Sequence, residues 1–188
     1  MPSLREVASS LFGAWRLALM DAKGMEYFDR SVAGAIRSFS AAVIVAPAYL
    51  VLVLMRLGED AGNVSLGNFL LVESIAYVIS WTAYPLIMDD MSRILDCNPR
   101  YPAFLSAYNW SAVLQMLVYL PAVALSESGI LMPAFGDTLV FAATLVVLTY
   151  QWFVTRTALD VSGFIAAGLV ILDLVLSVFI SGAADGML

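Results

Sequence analysis

The chain has 188 residues, of which 62% are apolar and only 13% charged, and its mean hydropathy is +0.90. A soluble domain averages about 45–50% apolar and about 25% charged residues, so this composition cannot cover a water-facing surface and predicts lipid as the main solvent. With 9 Lys+Arg against 15 Asp+Glu the net charge is −6, which excludes nucleic acid as a partner, and the single cysteine, Cys97, excludes an internal disulfide.

Residues 1–37 hold Arg5, Arg16, Lys23, Arg30 and Arg37. At about 100° per residue Arg5, Ser9, Arg16 and Lys23 fall on one line, with Leu4, Val7, Leu11, Trp15 and Ala18 opposite. That pattern predicts a basic amphipathic helix ended by Gly24. A second helix is expected to turn Phe28, Val32, Ile36 and Phe39 inward and Glu26, Arg30 and Arg37 toward water. Both suit the surface of an anionic cytoplasmic leaflet, with Arg5, Arg16 and Lys23 as the expected contacts to anionic lipid headgroups. Arg16 interrupts Leu11 to Met20, so the segment does not read as a cleavable signal.

A bilayer core needs about 20 mostly apolar residues per helix. Ser38 to Met55, Tyr101 to Ser126 and Thr138 to Thr155 carry no charge; Ala61 to Met88 has only Glu73, and Val161 to Ala184 only Asp173. The expected fold is therefore all-α: an interfacial segment over 1–37, then a polytopic domain over 38–188 with spans near 38–56, 66–88, 102–125, 137–156 and 162–183. Of the nine cations, Arg56 alone falls on the side opposite the N-terminus, which predicts a cytoplasmic N-terminus and an outer C-terminus. Pro47, Pro85 and Pro121 are expected to bend their spans, and Asn63-Val64-Ser65 fits a glycosylation triplet. No internal repeat supports an inverted-repeat transporter core.

Polar residues inside four spans share one face each. Glu73, Tyr77, Ser80 and Tyr84 do so in the second span; Tyr101, Tyr108, Gln115 and Tyr119 in the third; Asp137, Thr144, Gln151 and Thr155 in the fourth; and Ser162, Ala166, Asp173 and Ser177 in the fifth. An unpaired polar group in hydrocarbon costs several kcal/mol, so these stripes predict the bundle interior. Glu73, Tyr77, Tyr108, Gln115, Thr144 and Asp173 form the candidate intramembrane polar site. The first span, almost bare of polar groups, is expected at the periphery. With no Lys, Arg or His inside a span, both acids are expected to be buried without a basic partner. They then serve either as neutral hydrogen-bonding groups that lock helices or as a proton or cation site.

Catalytic and metal signatures are poor. There is no histidine, which removes the usual general base and most metal sites, and Cys97 has no dyad partner. The best enzymatic candidate is Asp89-Asp90-Met91-Ser92-Arg93-Ile94-Leu95-Asp96, read as a cytoplasmic loop whose three carboxylates could hold Mg²⁺ beside Arg93 and Arg100, although local Asp–Arg pairing is the simpler reading. No catalytic residue, cofactor or bound metal is expected.

An amphipathic N-terminus, five closely spaced spans and a third span that opens with Ala107-Tyr108-Asn109-Trp110-Ser111 together resemble the Yip1-type family of small five-span membrane proteins. The stretch Tyr27-Phe28-Asp29-Arg30-Ser31-Val32-Ala33-Gly34-Ala35, followed by Ser38-Phe39, is similar to uncharacterised bacterial inner-membrane proteins. The resemblance implies membrane shaping or trafficking and transfers no functional residue. The expected function is a non-enzymatic scaffold or accessory subunit of a bacterial inner membrane, engaging lipid, a membrane-protein partner or a second copy. The alternative is a small proton- or cation-linked transporter that uses Glu73 and Asp173. A hydrated cavity between the polar faces would separate the second from the first, which predicts a dry seam.

Overall fold

A computed structural model describes residues 1–60 and 65–188, with side chains left aside over 58–60. The glycosylation triplet begins at Asn63 and lies outside the described residues. Every regular element among them is helical: α1 (Leu4–Ala18), a 3₁₀ turn (Ala22–Tyr27), α2 (Val32–Ser38), α3 (Ser40–Asp60), α4 (Leu66–Ile94), a second 3₁₀ turn (Asn98–Arg100), α5 (Tyr101–Glu127), α6 (Pro133–Leu159) and α7 (Gly163–Asp185). Five segments are long and apolar enough to cross a membrane: Val32–Leu57, Leu66–Ile94, Asn98–Glu127, Pro133–Leu159 and Gly163–Asp185. At about 1.5 Å per residue, α4, α5 and α6 are each about 40 Å long or more, longer than a hydrocarbon core requires.

The five long helices form a ring. Helix α3 packs on α5, α5 on α6, α6 on α7, α7 on α4, and α4 closes back on α3. Helix α5 is also the dock for α1 and α2. The first span is therefore not peripheral: α3 lies along the most connected helix of the bundle, and small Ala41 and Val45, both buried, let it approach closely.

Packing is uneven around the ring. On the side that carries α1, Leu17, Met25 and Phe28 join Tyr84, Met88, Phe104, Trp110, Val154 and Leu159 in one core, whose large members are almost completely buried. Such density would be ordinary in a water-soluble domain. Elsewhere large apolar side chains stay exposed along the helices, among them Leu71, Ile75, Leu86, Val175 and Phe179.

Helix α1 begins at an N-cap where the Ser3 hydroxyl accepts from the Glu6 N–H at 3.2 Å. It ends earlier than the sequence predicts, because Met20 adopts φ 59° and turns the chain before Gly24. Gly24 instead packs against Gly13: a Cβ on Gly24 would stand 2.6 Å from the Gly13 carbonyl oxygen. The buried face of α1 is Ser10, Gly13, Ala14 and Leu17, while Leu4, Phe12, Trp15 and Leu19 are exposed. The expected second amphipathic helix divides into the 3₁₀ turn and α2. In α2 the buried residues are Gly34, Ala35 and Ser38, whereas Val32 and Ile36 point outward. A hydrophobic pattern identifies the apolar face but cannot distinguish lipid from protein as what covers it.

Candidate functional site

A cavity of about 430 Å³ opens in the middle of the ring, and all five long helices line it. Its polar wall is Tyr49 from α3, Tyr77 and Ser80 from α4, Tyr108, Gln115 and Tyr119 from α5, Thr144 and Gln151 from α6, and Asp173 and Ser177 from α7. The 3.6-residue period delivers these groups inward because within α4, α5, α6 and α7 they recur at intervals of three, four or seven. The hydroxyls of Ser80 and Thr144 donate to carbonyls one turn back, at Ala76 and Val140, which leaves them satisfied without a partner helix.

Among the described residues Asp173 carries the one carboxylate of the lining, and no Lys or Arg lines the cavity with it. The Tyr108 hydroxyl stands 3.3 and 3.2 Å from its two oxygens, and the Gln151 amide donates to it at 3.3 Å. Gln115 in turn donates to the Gln151 side-chain oxygen at 2.5 Å. A polar chain thus runs from α5 through α6 to α7. Beneath it the Tyr84 hydroxyl donates to the Leu169 carbonyl at 3.1 Å, and the ring of Tyr84 lies 5.1 Å from that of Tyr108. Asp173 is half-buried, not sealed as the sequence predicts, because the ring leaves space beside it.

Glu73 has a different environment. It is 3% exposed and does not line the cavity; it accepts from the Tyr49 hydroxyl at 2.7 Å and from the Arg56 guanidinium at 3.0 Å. The second Arg56 nitrogen reaches Asp185 at the end of α7 at 2.5 Å. The expectation that neither acid has a basic partner is therefore overturned for Glu73. Arg56 stands two turns beyond Tyr49 on the same face of α3, and its long side chain spans the gap to α4. That seven-residue spacing was the available signal for both residues.

Of the six polar candidates, Tyr77, Tyr108, Gln115, Thr144 and Asp173 line one cavity and Glu73 lies apart from them. Tyr49 and Gln151 join the site without having been among the candidates. The Tyr49 ring stacks on Tyr77, centroids 4.6 Å apart, and the Tyr77 hydroxyl donates to the Ala42 carbonyl at 2.6 Å, which closes the seam between α3 and α4.

The aspartate-rich segment is not a loop. Asp89 and Asp90 belong to α4, Arg93 pairs with Asp89 at 2.5 Å, and Arg100 pairs with Asp160 at 2.7 Å. Helix geometry turns successive carboxylates away from one another, and no group of three metal-ligating side chains occurs among the described residues. Cys97 is buried, which pushes its thiol above the ordinary range.

Among the three expected headgroup contacts, Arg5 and Lys23 are exposed. Arg16 forms an ion pair with Asp21 and lies over the Tyr27 ring. That hydrogen bond to Arg16, and then the Lys23 N–H, hold the Asp21 carboxyl below its ordinary value. Comparisons with family models, curated proteins and solved structures gave no match, so the site is read from its own chemistry.

Proposed function

We propose that the protein is a small carrier in a bacterial inner membrane, N-terminus cytoplasmic, that binds a proton or a small cation at Asp173 without covalent catalysis. The observation that carries this reading is the cavity: five membrane-length helices line it, and among the described residues its lining holds one acid and no base. An ionised carboxylate in such a place attracts positive charge, and Tyr108 and Gln151 supply donors that hold it when no cation is bound. Glu73, neutralised by Arg56, serves as a structural pair in this scheme. The test is flux in proteoliposomes, read by an internal pH dye and by imposed Na⁺ or K⁺ gradients. Asp173→Asn should abolish flux while the protein elutes as the parent does; equal flux in parent and variant, or none in the parent, overturns the reading.

A second reading, a scaffold or accessory subunit, is supported by the exposed Leu4, Phe12, Trp15 and Leu19 on α1, which offer an apolar strip to lipid or to a membrane partner. Copurification of a stoichiometric partner from native membranes, lost on replacing Phe12 and Trp15 with Ser, would favour it.

A further inference from the structure

The central cavity has a neighbour. A second hollow of about 220 Å³ lies toward the far side between α3 and α5, with Arg56, Val123 and Glu127 in its wall. Tyr49 and Tyr119 line both hollows, so the two meet at this pair of rings. We propose that the second hollow is the vestibule by which a cationic solute enters from the far side, and that Tyr49 is the gate between it and Asp173. The inference rests on the reading of the cavity as a solute site and adds its route and its gate.

Three observations converge on this route. The α1 side offers a cation less: Tyr84, Phe104, Trp110, Val154 and Leu17 are each at most 2% exposed, and the hollow of about 410 Å³ beside Trp15 and Met20, which also meets the cavity at Gln115 and Val147, has no charged side chain in its lining among the described residues. The gate is held from behind: the Tyr49 hydroxyl donates to Glu73, and Arg56 fixes Glu73 from the same helix, so one latch sets where the Tyr49 ring stands. The vestibule does not repel a cation: its wall carries Arg56 and Glu127, and Arg56 is already engaged by Glu73 and Asp185.

The experiment reads accessibility and needs no flux. In the full-length protein with Cys97→Ala, Ser177→Cys places a thiol in the cavity wall, and a membrane-impermeant cationic methanethiosulfonate reagent is applied to vesicles of each orientation. Sidedness is reported by a separate Gly186→Cys protein, whose thiol follows α7 at the far end. Position 177 should react at least about tenfold faster when the far side faces the reagent. Adding Tyr49→Phe, which frees the ring from Glu73, should raise that rate about tenfold again, the scale of losing a hydrogen bond to a charged group. Should Tyr49→Phe fail to fold, Tyr119→Ala opens the same constriction from α5 and must give the same acceleration. Equal reaction from both sides, faster reaction from the α1 side, or no reaction from either overturns the route; an unchanged rate in the gate variants overturns the gate. Flux lost in Asp173→Asn but entered from the α1 side would sink this inference alone, whereas far-side labelling without any flux would sink the carrier.

Discussion

Arg56 holds the Glu73 carboxylate at 3.0 Å across the seam between α3 and α4, and its other nitrogen holds Asp185, so one side chain ties three helices at the far end of the ring. The pair is asymmetric: the Glu73 side chain is 4% exposed and that of Arg56 is 48% exposed. Removing the buried partner therefore leaves a cation that water can still reach, and the cost falls below the roughly 3–5 kcal/mol of a fully buried broken pair.

The two acids should consequently separate in stability. Glu73→Gln is expected to cost about 1–3 kcal/mol, since Tyr49 and Arg56 both lose a charged acceptor. Asp173→Asn keeps the shape and one acceptor for Tyr108 and should cost less than about 1 kcal/mol. Thermal unfolding in detergent checks this, and equal losses in the two variants would refute the distinction.

The docking of α1 depends on two glycines. A Cβ at Gly13 would lie 2.8 Å from the Gly24 carbonyl oxygen and 2.9 Å from the Tyr27 Cβ, and one at Gly24 would lie 2.8 Å from the Leu17 Cγ. Backbone cannot yield as a flexible side-chain end can, so Gly13→Ala and Gly24→Ala should each cost about 1–3 kcal/mol. Gly168→Ala, which meets nothing within 4 Å on α7, should be neutral or gain up to about 1 kcal/mol. Limited proteolysis of the 1–31 segment reports the first two, and an unaltered cleavage rate in both would count against a close-packed α1.

Sequence reading reached the five long apolar helices because runs with at most one charge are a direct count, and it reached much of the cavity wall because Tyr77, Gln115, Thr144 and Asp173 lie on the polar face of their helices. It missed Tyr49 and Arg56 because one tyrosine and one terminal arginine seven residues apart are a weak signal in an otherwise apolar helix, one that gains meaning when α4 brings Glu73 beside them. The seat of α1 was hidden for another reason. Its buried face is Ser10, Gly13 and Ala14 with Leu17, small residues with little hydrophobic signal, while Phe12 and Trp15 face outward. Asp89 and Asp90 looked like a ligand loop because nothing local stops α4 before Ile94.

Acid should loosen the α1 region before the bundle. The hydrogen bond from Arg16 lowers the Asp21 carboxyl, and the Ser31 N–H does the same for Asp29. A carboxyl whose folded value is depressed contributes stability above its unfolded value, about 3.9, and that contribution is lost as pH falls through the folded value. Protease sensitivity of residues 1–31 should therefore rise below about pH 4. Asp21→Asn should show part of that sensitivity at neutral pH; a cleavage rate flat down to pH 2 would remove the argument.

Orientation is open to a direct test. Arg5, Arg16, Lys23, Arg93, Arg100 and Arg156 all belong to segments at the α1 end, and Arg56 stands at the other. Lys and Arg are retained on the cytoplasmic side, so reporter fusions after Asp185 should read periplasmic and fusions at Asn98 cytoplasmic. A cytoplasmic reading at both would reverse the α7 end.

The last expectation separates binding from capacity at Asp173. Tyr108 approaches both carboxylate oxygens and Gln151 one of them, and neither side chain contributes a formal charge. If the carboxylate receives a cation, these two donors compete with it for the same oxygens and also fix where those oxygens point. Tyr108→Phe removes the donor but keeps the ring against Tyr84 and Phe104, so packing is largely retained. Its flux should saturate at a half-maximal concentration shifted about ten- to a hundredfold, the range of one hydrogen bond to a charged group, with the maximal rate changed less than that. Gln151→Leu should shift the same parameter and, because it also releases Gln115, should add to Tyr108→Phe by less than the sum of the two. Concentration curves for the two single variants and the double variant measure this directly. A loss confined to the maximal rate, with the half-maximal concentration fixed in all three, would mean that Tyr108 and Gln151 hold the helices together and do not position Asp173 for a solute.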